Sequence, residues 1–179
     1  PLAVGKNGSV LTTGLVYVFC YPAEDDGGCR LPVATTRPET MFGDVAVAVH
    51  PNDERYAAFV GRRLRNPLTG RTLGVVADER VQPEVGTGAV KVTPAHSFVD
   101  FEIGRDHGLS AVTVIDARSG RLNDACGGFA GMDRAAARDA VVEALKAGGW
   151  FVEARPTATE VPLCSRSGDW LETVLKEQW

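Results

Sequence analysis

The sequence predicts an α+β fold, mainly β, built as a closed or nearly closed sheet decorated by peripheral helices. Three observations carry that expectation. Short runs rich in Val, Ile, Thr, Tyr and Phe recur along the chain, separated by turns bearing Gly, Pro, Asn or Asp. Only a few stretches carry a helix start and a helix stop together. No internal repeat or low-complexity linker divides the 179 residues, of which 44% are apolar and 23% charged. Residues 1–179 therefore read as a single domain, able to bury roughly 70% of its unfolded surface.

Residues 1–9 are polar and glycine-bearing and read as a loose lead-in. Val10 to Tyr21, rich in Val, Thr, Tyr and Phe, is the first strand. The acidic AEDDGG turn folds it back onto a second, Arg30 to Thr36. In TTRPET, residues 35–40, Arg37 precedes a proline and is held extended, which makes an ordered loop rather than a helix. Asp44 to His50 alternates as a strand. Pro51, Asn52 and Asp53 open a short helix through Tyr56 and Phe59, ended by Gly61. Short strands near Arg62–Arg65 and Thr72–Val76 flank the NPLTG turn. Ala89 to Val92 forms a buried strand that Pro94 stops. Ser97 and Asp100 make a capping-box pattern that opens a helix, closed by Gly108. Ala111 to Asp116 is another apolar strand, followed by glycine-rich turns to Gly131. Asp133 caps a helix that ends at Gly148, with Ala137, Val141 and Leu145 on one face. Glu160 to Leu163 forms a last strand. Asp169 with Glu172 starts a helix running to Trp179, an apolar end that suits a module cut out of something larger.

A net charge of −4 argues against gripping nucleic acid by bulk electrostatics, while leaving contacts to a single nucleotide open. The four cysteines show no C-x-x-C spacing and there are three histidines, so no metal site is expected. Across the expected hairpin Cys20 and Cys29 could face each other, which allows a disulfide or two reduced thiols of an intracellular protein. No apolar run approaches the roughly 20 residues a membrane helix needs, and no signal or transit pattern opens the chain. The chemistry-bearing residues concentrate in GTGAVKVTPAHSFVDFEIG. There Lys91, Thr93, His96, Ser97 and Asp100 converge where a strand ends and a helix begins. A carboxylate beside exposed helix-start N–H groups can hold a small ligand bearing both signs of charge.

TTRPET, GDVAVAVHP, GTGAVKVTPAHSFVDFEIG and the closing CSRSGD…QW occur in that order. Together, over roughly residues 30–179, they resemble the editing domain inserted in the catalytic core of class I valyl-, isoleucyl- and leucyl-tRNA synthetases. KVTPAH followed by an aspartate and EIG is most similar to the valyl branch. KVTPAHS…GLS with PLCSRSGD is most similar to its mitochondrial type. The resemblance implies a roughly six-stranded closed β-barrel with peripheral helices. It implies hydrolysis of the ester that joins a wrong amino acid, threonine in the valyl branch, to the 3′-terminal adenosine of tRNA. The implied partners are the 3′ end of aminoacylated tRNA and the rest of a synthetase chain, with no membrane. The implied setting is intracellular, the mitochondrial matrix or the cytoplasm. The domain itself needs no cofactor; ATP and magnesium belong to the parent enzyme's synthetic site. Two rival readings share these residues: an isoleucyl-type domain that clears valine, and a degenerate domain kept for tRNA positioning.

The same resemblance implies roles. Asp100 matches the amine-binding aspartate, where a carboxylate pairs with the α-ammonium and orients the ester. The spacing alone also allows Asp100 to be only the capping partner of Ser97. Lys91 and Thr93 match pocket-lining positions, Lys91 for the negative charge of the tetrahedral intermediate and Thr93 for the substrate or the attacking water. The solvent face of an edge strand is the alternative for both. Thr35, Thr36 and Arg37 match the threonine-rich loop of the opposite wall, where hydroxyls and a guanidinium suit a ribose, a phosphate or the ester carbonyl. A hydroxyl-stabilised turn before Pro38 is the alternative there, and Glu39 can simply pair with a surface arginine. His96 sits where either a general base or a packing histidine belongs, and no Ser-His-acid triad is evident. Two substrate-binding positions depart from the valyl pattern: Ser97, where aspartate is common, and Val85, where a bulky aromatic is common.

Overall fold

The computed structural model describes residues 3–4, 9–25, 28–162, 164, 166–167, 171, 173 and 175. In chain order the strands are β1 Ala3–Val4, β2 Ser9–Pro22, β3 Arg30–Thr35, β4 Ala46–Val49, β5 Arg63–Arg65, β6 Thr72–Ala77, β7 Ala89–Val92 and β8 Phe151–Pro162. The α-helices are α1 Phe98–Asp106 and α2 Arg134–Ala147.

These strands form two four-stranded sheets. β2 is the spine of the first: β8 pairs along one edge from Ser9 to Phe19, while β1 and β3 pair at opposite ends of its other edge. The second sheet runs β5-β6-β4-β7, with β4 and β6 parallel and the other pairs antiparallel. Every residue of β4, sequence AVAV, is buried, as a central strand covered on both faces must be. Val47 and Val49 face the main core with Phe19, Leu31, Met41, Leu64 and Leu73. Ala46 and Ala48 face a second, smaller core with Val81, Val92 and Ile103 under α1. Phe19, Leu31, Leu64 and Leu73 are wholly excluded from water, each contributing roughly 1.5–3 kcal/mol of burial.

The closed barrel expected from the sequence is corrected here: both sheets are open. An isolated bridge, Ala23 to Leu64, joins them at one side. At the other side the edge strands β3 and β7 run close together, and among the described residues no ladder connects them. β3 contains Pro32, opposite Cys20 of β2. A strand paired on both edges needs every backbone donor, and proline has none, so it belongs at an edge.

Several local expectations also change. Pro38–Gly43, within and beyond the expected loop, is a 3-10 helix whose six residues are all buried. The helix expected after Pro51 reduces to turns and a short 3-10 helix, Ala57–Phe59. Ala111 to Asp116 is not a strand and, among the described residues, makes only one bridge, Ile115 to Leu122. The last strand begins at Phe151, well before Glu160. Part of the lead-in, Ala3–Val4, pairs with β2. Leu163 and most of the closing helix expected from Asp169 lie outside the described residues, as does the centre of the AEDDGG turn.

Both α-helices start as their caps require. Ser97 Oγ accepts from the Asp100 N–H ahead of α1, and Asp133 accepts from the N–H groups of Ala135 and Ala136 ahead of α2. Such caps stabilise a helix by about 1 kcal/mol. Gly104 lets α1 lie against the end of β7: a Cβ there would sit 2.8 Å from Pro94 Cγ. That close approach places the first turn of α1 beside Thr93.

Candidate functional site

Between β3 and β7, whose edges no ladder joins among the described residues, lies a cleft of about 180 Å³. One wall is the end of β3 and its following loop, with Ala34, Thr35, Thr36, Arg37 and Thr40. The other is β7 and the start of α1, with Val90, Lys91, Thr93, His96, Ser97 and Asp100. The gap that denies the fold a closed barrel is thus the gap that makes the site.

Asp100 is turned inward, with 9% of its surface exposed. Its Oδ2 accepts the backbone N–H of Thr93 at 2.8 Å, and its Oδ1 accepts the Ser97 hydroxyl at 2.9 Å. Each carboxylate oxygen has capacity for a second donor, so capping and ligand binding are compatible at this residue.

Behind the cleft surface lies a buried polar cluster centred on Asp44, which sequence analysis placed only as the first residue of a strand. Lys91 Nζ donates to Thr40 Oγ1 at 2.7 Å, Thr93 Oγ1 at 2.5 Å and Asp44 Oδ1 at 3.1 Å. The Thr93 hydroxyl donates to Asp44 Oδ1 at 2.7 Å, and the Tyr21 hydroxyl donates to Asp44 Oδ2. Burial raises the Asp44 carboxyl above its ordinary value, while the Lys91 charge and the donors of Tyr21 and Thr93 pull it back down. Burial, and then the Asp44 charge, push the Tyr21 hydroxyl well above its ordinary value. The sequence signal for this cluster is a GD pair opening an apolar strand; its lysine and threonine partners lie 47 and 49 positions away.

The opposite wall is held from beneath. Arg37 N–H donates to Thr35 Oγ1 at 3.0 Å, and the Arg37 guanidinium donates to the carbonyl of His96 across the cleft at 3.1 Å. Glu39 is buried and forms a two-bonded pair with Arg138 of α2, at 2.8 and 3.0 Å. Asn66 donates to Met41 O at 2.8 Å, and Arg71 donates to Phe42 O and Asp44 O at 3.0 and 2.9 Å. The threonine-bearing loop is therefore a fixed wall.

His96 is buried, with Nε2 accepting the Val114 N–H at 2.9 Å. That bond assigns the ring proton to Nδ1, which faces Thr173 O at 3.3 Å. Both nitrogens are engaged in tying the site to neighbouring segments, an arrangement that suits support rather than general-base work. Val85 is set apart: it is 55% exposed and does not line the cleft.

A threonine-bearing wall faces an inward carboxylate between the edges of two sheets, an arrangement that suits a small ligand. The architecture is similar to that of a leucyl-tRNA synthetase from Agrobacterium radiobacter K84, solved as a ternary complex with tRNA and LeuAMS. That likeness has a TM-score of 0.61 at 20% identity, covering 90% of this chain and 24% of that one. The structure titled GlLeuRS-CP1 is matched with a TM-score of 0.60 at 14% identity, covering 79% of this chain and 98% of that one. The family model described as "Leucyl-tRNA synthetase, editing domain" matches residues 50–145, more than half of the chain. The chain belongs to this family of synthetase editing domains, and its sequence relatives are valine–tRNA ligases.

Those relatives include the mitochondrial valine–tRNA ligase of Rattus norvegicus, 48% identical over 167 residues, covering 93% of this chain and 16% of the relative. Another is the valine–tRNA ligase of Mycolicibacterium paratuberculosis, 53% identical over 167 residues, covering 93% and 19%. The chain thus spans less than a fifth of the length of these curated relatives. Among the described residues, no helix is long and apolar enough to cross a membrane.

Proposed function

We propose that this domain performs post-transfer editing for a valine–tRNA ligase, hydrolysing the ester of threonine wrongly attached to valine tRNA. The observation that carries the reading is Asp100, an inward carboxylate with acceptor capacity left, facing the Thr35–Arg37 wall across a cleft of about 180 Å³. An α-ammonium paired with Asp100 would bring the ester carbonyl between the two walls. Thr35, Thr36 and Arg37 are the donors and acceptors suited to the terminal ribose, its phosphate or the ester carbonyl. Thr93 is positioned to meet the substrate side chain or the attacking water. Lys91, its three N–H donors already committed to Thr40, Asp44 and Thr93, contributes positive potential from behind the wall as the tetrahedral intermediate gains charge.

The chemical need for such a site is general. A pocket shaped for valine discriminates against isosteric threonine by only about 100-fold, a known magnitude for such pockets and not one obtained from this chain. A second site therefore has to accept threonine and refuse valine. A polar partner that valine leaves unsatisfied imposes a cost of roughly 1–3 kcal/mol.

The partners in this reading are the 3′ end of aminoacylated tRNA and the remainder of a synthetase chain, whose synthetic site would use ATP and magnesium. The domain's hydrolysis needs no cofactor. The relatives include both mitochondrial and bacterial enzymes at similar identity, which supports a mitochondrial matrix or a bacterial cytoplasm. The test is to mix the whole synthetase with threonyl- and valyl-charged valine tRNA. Release of threonine with valine retained is expected. Retention of both refutes the reading.

A further inference from the structure

Asp44 is buried completely and takes no part in lining the cleft, yet it sits at the centre of the cluster that does. The hydroxyl directions in that cluster follow from which groups can donate. An ammonium only donates and a carboxylate only accepts, whereas a threonine hydroxyl has one proton and two lone pairs. Thr93 Oγ1 receives Lys91 Nζ at 2.5 Å, so its proton goes to Asp44 Oδ1 at 2.7 Å. Thr40 Oγ1 receives Lys91 Nζ at 2.7 Å, so its proton goes to Arg37 O at 2.9 Å. Each hydroxyl is left with one lone pair, and both residues line the cleft.

We propose that Asp44 is a positioning residue: with Lys91 it turns the hydroxyl protons of Thr93 and Thr40 away from the cleft. These two hydroxyls, one on each wall, then offer lone pairs alone to whatever meets them. A ligand group that donates a hydrogen bond, a hydroxyl or a water molecule, is accepted there. A methyl group, or an acceptor such as a carbonyl oxygen, is disfavoured against these two hydroxyls, while the donors of Arg37 stand elsewhere on the wall. Tyr21 contributes by occupying Asp44 Oδ2, which leaves Oδ1 to Lys91 and Thr93. For the identity of the ligand this rests on the editing reading; for the direction of the hydroxyls it does not.

Two measurements test it. In the whole synthetase, Asp44→Ala is expected to lower kcat for threonine release about tenfold or more, with KM changed by less than about threefold, because Asp100 and Arg37 still hold the ester. Asp44→Asn keeps an acceptor oxygen toward Thr93 and is expected to restore kcat to within about threefold of the parent. An Asn variant as impaired as the Ala variant, or an Ala variant with parental kcat, overturns the proposal. The second measurement is neutron diffraction from crystals of the unmodified protein. The Thr93 and Thr40 deuterons are expected to point at Asp44 Oδ1 and Arg37 O. A deuteron of either directed into the cleft overturns the proposal. This measurement decides the matter even if Asp44→Ala does not fold. It also decides it if the parent enzyme releases no threonine, a result that would refute the editing reading alone.

Discussion

Asp100 Oδ2 receives the Thr93 backbone N–H at 2.8 Å, joining the first turn of α1 to the end of β7 through a group that faces the cleft. Shape and binding capacity therefore meet at a single side chain. Asp100→Ala removes both the ammonium partner and that buried bond. The expected results are a loss of threonine release of at least about 100-fold and a stability decrease of roughly 1–3 kcal/mol. Deacylation kinetics and chemical unfolding of the same variant measure the two effects separately.

Glu39 offers a test of how firmly the threonine-bearing wall must be held. It is 1% exposed and paired to Arg138 by two hydrogen bonds. Arg138 is partly exposed, and its removal leaves the buried Glu39 carboxylate with, among the described residues, only the Arg37 guanidinium at 3.9 Å, at a cost of roughly 1–3 kcal/mol. Arg138→Ala is therefore expected to lower the melting temperature by roughly 2–12 °C for a domain of this size, read by thermal unfolding. Arg138→Lys is expected to recover only part of this, since an ammonium cannot reproduce the two-bonded geometry.

Gly43 is tightly packed beneath the site. A Cβ there would lie 2.8 Å from Val112 O and 2.9 Å from Thr93 Cγ2. Gly43→Ala is expected to cost about 1–3 kcal/mol through overpacking and to displace Thr93. Its threonine release should fall more than its stability alone accounts for, and deacylation at a temperature well below melting checks this.

Acid stability should reflect the Arg80 cluster at the far end of α1. Partial burial raises Asp78, but the Arg80 backbone N–H, the His107 ring and the Arg80 charge outweigh it and hold the carboxyl below its ordinary 3.8. The Arg80 and Arg105 hydrogen bonds lower Asp106 in the same direction. A lowered folded value means stabilisation that is present above pH 3.8 and is lost as pH falls through the lowered value. Arg80→Gln shrinks that contribution, so the acid-unfolding midpoint is expected to move to higher pH. An unchanged midpoint would show that the cluster adds nothing to stability.

What could be read from the chain was local. Ser97 with Asp100, and Asp133 before α2, cap the helices they were expected to cap, because the groups involved lie within three residues of one another. What escaped depended on distant partners. Residues 152–156 of β8 are exposed, so no buried alternation marks them, and only pairing with β2 makes them a strand. Residues 111–116 look like a strand because Ala111, Val112, Val114 and Ile115 are apolar. Yet the Val114 N–H goes to the His96 ring instead of a ladder. Asp44 gave no local sign of its role beyond a GD pair before an apolar strand, since Tyr21, Lys91 and Thr93 all reach it from other strands or strand ends. The open seam had one overlooked marker, Pro32 in an otherwise good strand.

The most direct test is a crystal structure of this domain with a non-hydrolysable analogue of threonyl-adenosine. The expected result is the ammonium within about 3 Å of an Asp100 carboxylate oxygen, with the ribose against Thr35, Thr36 and Arg37. An analogue bound elsewhere, or bound in the cleft with its ammonium turned away from Asp100, contradicts the proofreading assignment.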